Sequence, residues 1–267
     1  MKKRVFALFT AMFLLCGMLA GCGPTGSSST TTDGSDDGAK DTLIVAIPES
    51  PTYMDPMVQA SIGTYRVTTQ MFDRLVMMDN DMNLVPGLAE SWEVIDDTTT
   101  VFHLRQGVKF HNGEEMTADD VVTSIIYAKT CPEVNLYNSS VESIEKVDDY
   151  TVKITTPGPS AILLNDLCHH GNAIVPKKLI DEGHDFNEDP VGSGPYKLVE
   201  WKRGDSLEFE AFEDFYKGAP KIKNMTWKII PEGSSRTIAL EAGEIDFIVE
   251  VEAMDADRLK ENSDLEV

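Results

Sequence analysis

A cysteine and two histidines are adjacent in this sequence, at Cys168-His169-His170. These residue types bind transition metals, but a metal site needs three or four ligands held together. No further ligand can be identified from the sequence, and adjacent side chains of an extended chain point to opposite sides. We therefore predict structural or solvated histidines, with no metal site and no cofactor.

Three acidic residues form a second candidate for chemistry, around the predicted helix start at Thr117. Thr117 can cap the helix while Asp120 reaches back to it. Negative charges in the first turn are also stabilised by the positive end of the helix dipole. Glu115, Asp119 and Asp120 therefore indicate a helix N-terminus better than a metal site. Further along the chain, the pattern Gly192-Ser193-Gly194 does not indicate a phosphate loop, because Pro195 and a predicted strand follow instead of a helix.

Cys22 is the third candidate, and it ends a leader-like segment. Three basic residues at positions 2–4 precede an apolar run over residues 5–19, which is short for a membrane span. The ending Leu19-Ala20-Gly21-Cys22 resembles the bacterial lipobox, in which the cysteine thiol carries a diacylglyceryl group. We predict a signal peptide over residues 1–21 and a two-chain lipid anchor at Cys22. The alternative is an ordinary signal peptide cut beside a cysteine, and Cys16 is removed in either case.

Composition separates a tether from a folded body. Residues 22–40 contain no large apolar side chain, so they predict a flexible tether, and globular patterning begins at Asp41. The net charge of −22 argues against nucleic-acid binding and favours a soluble body. No Cys-x-x-Cys occurs in the body, so Cys131 and Cys168 are expected to be unpaired, buried thiols.

Periodicity predicts a body in which strands and helices mix, of α/β or α+β class. Strands are predicted at Leu43–Ile47, Thr100–Arg105, Val141–Val147, Tyr150–Thr155, Tyr196–Trp201, Ser206–Phe212, Met225–Ile230 and Ile245–Val249. Helices are predicted at Tyr65–Met78, from Thr117, from Ser234 or Ser235 through Ala242, and at Ala253–Glu261. Gly243 is placed to end the third of these helices.

Six sequence blocks, in order and at characteristic spacing, carry a family resemblance. They are Met54-Asp55-Pro56, Leu84 to Val94, Phe102 to Gly113, Thr117 to Val122, Pro190 to Tyr196 and Leu240 to Asp246. Together they resemble the family 5 extracellular solute-binding proteins of ABC importers, the oligopeptide, dipeptide and nickel-binding group. The apolar and aromatic residues of the blocks are expected to pack the core, and Gly107, Gly113, Gly192 and Gly194 to make turns.

The resemblance implies a periplasmic-binding-protein type II-like fold with two lobes that close on the ligand. Residues 41–267 would form the first lobe, with a subdomain inserted at about 55–184. The second lobe would be missing from this sequence, so residues 41–267 alone are expected to bind solute more weakly than a two-lobed member. The resemblance to peptide-binding members points to Gln59, Tyr137 and Ser193 as ligand contacts.

The expected function is solute capture outside the cell and delivery to ABC permease subunits, with a short peptide as the solute. Within the family, a nickel chelate, haem or a saccharide is an alternative solute. A surface lipoprotein without transport is a further alternative. An enzyme is not expected, because no Walker-type, Gly-x-Ser-x-Gly or His-Glu-x-x-His sequence occurs, although abundant carboxylates leave a glycosidase-like pair open. We expect a lipid-anchored monomer on the extracytoplasmic face of the membrane.

Overall fold

Strand β1, the first strand of the folded body, lies inside a five-stranded sheet. The computed structural model describes residues 40–58 and 61–267, so the predicted leader, most of the tether, Cys22 and Gln59 lie outside the described residues. The strands of this sheet are β1 (Thr42–Ile47), β8 (Tyr196–Lys202), β9 (Ser206–Ala211), β10 (Asn224–Ile229) and β11 (Phe247–Ile248). All five confirm predicted strands to within two residues at each end.

The spatial order of this sheet is β11-β1-β10-β9-β8. Strand β1 runs parallel to both of its neighbours, pairing Val45 with Trp227 on one side and with Phe247 on the other. Strands β10, β9 and β8 are mutually antiparallel. A mixed sheet of this kind, with helices between some of its strands, confirms the predicted α/β class.

The remaining strands form two smaller antiparallel sheets. They are β2 (Val76–Met78) with β3 (Leu84–Pro86), and β4 (Ala89–Asp96), β5 (Thr99–Leu104), β6 (Ser143–Asp148) and β7 (Thr151–Thr155) in the order β4-β5-β7-β6. Along β7 the side chains alternate between half-buried and buried, as the sequence predicted. The buried faces of β5 and β7 contribute Phe102 and Ile154 to the main hydrophobic core, which also includes Phe209 of the five-stranded sheet.

Six α-helices and two short 3₁₀ turns complete the described residues. The helices are α1 (Ile62–Thr68), α2 (Ala118–Thr130), α3 (Leu163–Leu167), α4 (Lys177–Glu182), α5 (Gly233–Glu241) and α6 (Ala253–Glu261); the 3₁₀ turns are Asn135–Asn138 and His170–Asn172. Helix α2 begins where predicted, with Asp120 Oδ2 accepting from Thr117 N at 2.8 Å. Gly243 follows α5 with a φ of 71°, as a helix-ending glycine should. Among the described residues, no helix has the length and apolar character needed to cross a membrane.

The predicted helix at Tyr65–Met78 is wrong beyond Thr68. Residues 70–75, which we call the junction segment, use their carbonyl groups to accept hydrogen bonds from distant parts of the chain. Tyr196 N donates to Gln70 O at 3.0 Å, Gly194 N to Met71 O at 2.9 Å, and Leu88 N to Arg74 O at 2.8 Å. Residues 71–76 are all buried, so the apolar pattern reflects packing on every side instead of one helix face.

The turn glycines divide into two groups. Gly107 and Gly113 have φ angles of 71° and 88°, in the left-handed region that favours glycine, which confirms the prediction for these two. Gly192 and Gly194 have no positive φ, so their role differs from the predicted one. A Cβ on Gly192 would lie 2.1 Å from Met71 O, and one on Gly194 would lie 2.5 Å from Met71 C. These two glycines allow close approach to the junction segment.

The two cysteines of the body are both free thiols, and no disulfide joins them. Cys131 is buried, as predicted. Cys168 is only half-buried, because it lies at the wall of an open pocket. Burial is the main cause that raises the pKa of both thiols, so neither is activated as a nucleophile.

The contact of Gly192 with the junction segment generates a stability prediction. Gly192→Ala should lower the free energy of unfolding by about 1–3 kcal/mol, because backbone atoms of Met71 cannot move aside for a methyl group. The matched control is Gly158→Ala, since no atom lies within 4 Å of the added Cβ there. Urea denaturation of both variants measures the difference, and equal stabilities would contradict the close-approach role.

Candidate functional site

An open pocket of about 530 Å³ lies between α1, the 3₁₀ turn at Asn135–Asn138 and the end of α3. Its size is within the usual range of about 300–1,000 Å³ for small-molecule sites. The lining residues are Ser61, Ile62, Tyr65, Met78, Tyr137, Asn165, Asp166, Cys168, His169 and His170. Of the three predicted ligand contacts, this pocket contains Tyr137.

Backbone hydrogen bonds hold Tyr137 in place. Tyr137 N donates to Val134 O at 3.0 Å within the 3₁₀ turn. The buried amide of Asn172 then ties this turn to the end of α3, because its Nδ2 donates to Tyr137 O at 3.2 Å and to Asp166 O at 2.7 Å. Two segments that are distant in sequence are therefore fixed side by side, which preorganises the pocket wall.

His169 stacks on Tyr137, with ring centroids 3.3 Å apart and an interplanar angle of 13°. The His169 Nδ1 atom accepts a hydrogen bond from Gly171 N at 3.1 Å, so in the neutral ring the proton is on Nε2. Burial, with further contributions from His170 and Arg74, lowers the pKa of His169 to about 3. The imidazole is therefore neutral near pH 7, with Nε2–H available as a hydrogen-bond donor.

His170 extends the stack towards helix α1. Its ring centroid lies 4.1 Å from that of His169 and 4.7 Å from that of Tyr65. The expectation that the two histidines point to opposite sides is wrong, because the chain turns into the 3₁₀ turn at His170–Asn172 instead of staying extended. Adjacent side chains on such a turn can share one side.

Two polar side chains at the pocket wall, Ser61 and Asp166, already have partners. Ser61 caps α1, its Oγ accepting from Thr64 N at 3.3 Å. Asp166 is the single carboxylate among the lining residues, and its Oδ2 accepts from Ser140 Oγ at 2.6 Å. Burial raises the pKa of this carboxyl above its ordinary value. The described lining therefore contains one carboxylate, which is already engaged, although the chain as a whole is strongly acidic.

The acidic residues near Thr117 do not form a common centre. Asp119 pairs with Lys146 at 2.7 Å, and Asp120 accepts from Lys177 N at 2.8 Å. Glu115 accepts from Tyr150 Oη at 2.7 Å. Within residues 40–58 and 61–267, no group of three or more histidine, cysteine, aspartate or glutamate side chains could hold a metal ion.

Ser193, the third predicted ligand contact, lies away from this pocket. It is fully buried in the turn between Gly192 and Gly194, beside the junction segment. His111 closes this turn, because its backbone N donates to Gly192 O at 2.8 Å and its Nε2 contacts Gly194 O at 3.0 Å. Burial, aided by the charge of Lys197, lowers the pKa of His111 to about 4, so the ring is neutral at pH 7.

Among the described lining residues, Tyr137 is a predicted ligand contact, and the others were not predicted as ligand contacts from the sequence. Ser61 and Ile62 follow closely after Gln59, which lies outside the described residues. The adjacent pair His169 and His170 is visible in the sequence, but on its own it suggests only metal binding. Stacking on a tyrosine more than thirty residues earlier in the chain is not visible as a sequence pattern.

The sequence profile described as "Bacterial extracellular solute-binding proteins, family 5 Middle" matches residues 83–267. The chain belongs to this family. The glutathione-binding protein GsiB of Pectobacterium atrosepticum is 32% identical over 234 residues, which cover 85% of this chain and 45% of the relative. The predicted family and its fold are confirmed.

Two solved structures show the same fold for this family 5 chain. The oligopeptide-binding protein AppA of Bacillus subtilis, in complex with a nonapeptide, has a TM-score of 0.74 and 28% identity, covering 84% of this chain and 47% of that one. NikZ of Campylobacter jejuni, in complex with Ni(L-His), has a TM-score of 0.75 and 31% identity, covering 84% and 46%. This chain thus spans about half the length of the proteins it matches. These relatives are binding proteins, which agrees at the family level with the expectation of a non-enzyme.

The partly buried His111 generates a prediction of pH dependence. Its pKa is about 4 in the folded chain and about 6.5 when unfolded, so its contribution to stability is complete above pH 6.5 and is lost as the pH falls towards 4. Relative to His111→Gln, the unmodified protein should lose about 2–3 kcal/mol over that interval.

Urea denaturation at a series of pH values measures this difference. His103→Gln is the matched control, because it makes the same replacement at a histidine whose side chain is 37% exposed. If stability changes with pH in the same way for the unmodified protein and His111→Gln, the His111 imidazole is not responsible for the pH dependence.

Proposed function

We propose that this protein captures a small solute outside the cytoplasm, a short peptide in the first instance, and presents it to the permease subunits of an ABC importer. The match of the family 5 profile over residues 83–267 carries this proposal. The relatives support a peptide solute, since GsiB is named for glutathione, a tripeptide, and AppA was solved with a nonapeptide. The open, preorganised pocket that contains Tyr137 offers a place for part of such a solute.

A nickel chelate is the second candidate, favoured by the likeness to NikZ and by two histidines at the pocket. The hydrogen bond from Gly171 N to His169 Nδ1 counts against direct metal binding by this ring. Metal binding through Nε2 would require the proton to move to Nδ1. The Nδ1–H group would then face the Gly171 N–H group, so two donors would meet and the hydrogen bond would be lost. The geometry thus favours a solute with hydrogen-bond acceptors, such as a peptide.

The organisation of the whole chain follows from the same proposal. Residues 1–21 would be removed as a signal peptide, residues 22–40 would tether the protein, and residues 41–267 would supply solute-binding structure with 55–184 as an inserted subdomain. Lipid on Cys22 would hold a monomer at the extracytoplasmic face. Gln59 and Ser193 remain proposed ligand contacts, in addition to Tyr137.

Calorimetric titration tests the solute. We expect the mature protein, expressed from residue 22 to the end of its reading frame with Cys22→Ser, to bind glutathione or a short peptide with micromolar or tighter affinity. Tyr137→Ala should weaken binding about tenfold, the effect of losing a ring contact in a pocket. The matched control Tyr150→Ala removes a ring outside the pocket and should not weaken binding.

The two candidate solutes separate clearly in this titration. Heat from Ni(L-His) with none from any peptide would replace the peptide proposal by the chelate. Binding of neither would overturn solute capture by this pocket.

Membrane fractionation tests the anchor. Cys22→Ser should move the protein from the membrane fraction to the soluble fraction and abolish labelling by radioactive fatty acid, because the thiol is the proposed attachment atom. Cys16→Ser is the matched control, since Cys16 leaves with the signal peptide and labelling should persist. Membrane retention of the Cys22→Ser protein would show that lipid on this residue is not the anchor.

A further inference from the structure

The pocket wall contains four rings in continuous contact. Tyr137 stacks on His169 at 3.3 Å, His169 touches His170 at 4.1 Å, and His170 touches Tyr65 at 4.7 Å. The last two pairs are tilted by 41° and 44°, so the row presents both ring faces and ring edges. The rings come from α1, the 3₁₀ turn at Asn135–Asn138 and the end of α3, so only the folded chain brings them together.

The pocket rim adds exposed apolar surface to these rings. The exposed fractions of Ile62, Tyr65 and Met78 are 65%, 40% and 46%. Single exposed apolar residues are ordinary, but these three line the same pocket. Exposed apolar groups that converge on one concavity indicate a surface that becomes buried when a ligand binds.

Charge at the wall decides which ligand group fits. Among the described lining residues there is no lysine or arginine; Arg74, whose charge helps to lower the pKa of His169, is itself buried and does not line the pocket. Among the described lining residues the one carboxylate is Asp166, and its Oδ2 already accepts from Ser140 Oγ at 2.6 Å. His169 offers a neutral ring with a hydrogen-bond donor at Nε2. The wall therefore complements an uncharged group that can pack against rings.

We propose that this pocket binds an uncharged aromatic side chain of the solute, packed against the row Tyr137, His169, His170 and Tyr65. This inference rests on the proposed function, because it specifies which part of a peptide the pocket would take. Aromatic groups gain from stacked and tilted ring pairs beyond the gain from buried area, which an aliphatic group does not share. The volume of about 530 Å³ accommodates such a side chain together with part of the peptide backbone.

The histidine ring signals of this chain provide a direct test by NMR. The probes are N-acetyl-tyrosinamide, N-acetyl-leucinamide and N-acetyl-lysinamide at neutral pH, each added to the purified chain. We expect the tyrosine probe to shift the ring protons of His169 and His170, while those of His103, His111 and His184 serve as internal controls. Because NMR detects weak binding, the test does not depend on the affinity of a complete peptide.

Substitutions at the ring row sharpen the test. Tyr137→Phe keeps the ring and should keep the response, whereas Tyr137→Leu should weaken tyrosine-probe binding about tenfold. Tyr65→Leu changes a ring that is 40% exposed and gives a second variant that should stay folded if Tyr137→Leu does not. Equal shifts with the leucine probe, or shifts at the three control histidines alone, would overturn the proposal.

The result is separable from that of the calorimetric titration. Peptide binding without a preference for the tyrosine probe would leave solute capture standing and remove the aromatic subsite. A response of His169 and His170 to the tyrosine probe, with no peptide binding in the mature protein, would support the subsite and overturn the peptide as solute.

Discussion

The structure depends on the backbone contacts of the junction segment, residues 70–75. Its carbonyl groups accept from Gly194 and Tyr196 at the start of β8, from Ile174 after the second 3₁₀ turn, and from Leu88 before β4. One short segment thereby fixes the five-stranded sheet, the pocket wall and the four-stranded sheet relative to one another. Contacts this close require the absence of side chains opposite Met71, which explains the glycines on either side of Ser193.

The described lining of the pocket contains one carboxylate and no lysine or arginine, in a chain whose net charge is −22. The acids elsewhere are spread over local pairs and caps, such as Asp119 with Lys146, Lys153 with Glu145, and Asp120 at the start of α2. The net charge of the chain therefore says nothing about the ligand. The character of the pocket comes from the neutral His169 ring and its stacking on Tyr137.

Sequence patterns predicted the elements whose surroundings are simple. Strand β7 alternates because one face is covered, and α6 has the predicted bounds, with Leu259 as its buried residue. The helix predicted at Tyr65–Met78 failed after Thr68 because distant donors compete for its carbonyl groups, a tertiary effect that periodicity does not contain. The same limit applies to the site. Tyr137 was predicted from the family resemblance, while its partner His169 could be found only once the chain was folded.

The position of β1 has a consequence for how the chain acquires its structure. This strand is made first, yet its two neighbours, β10 and β11, come from residues 224–229 and 247–248. Such long-range parallel pairing has a high contact order, and chains of this kind fold slowly. During synthesis, β1 must remain unpaired until its neighbours β10 and β11 have been made, so the five-stranded sheet is completed late. Until then, its apolar residues Val45, Ala46 and Ile47, which are buried in the folded chain, are exposed to solvent and can promote aggregation.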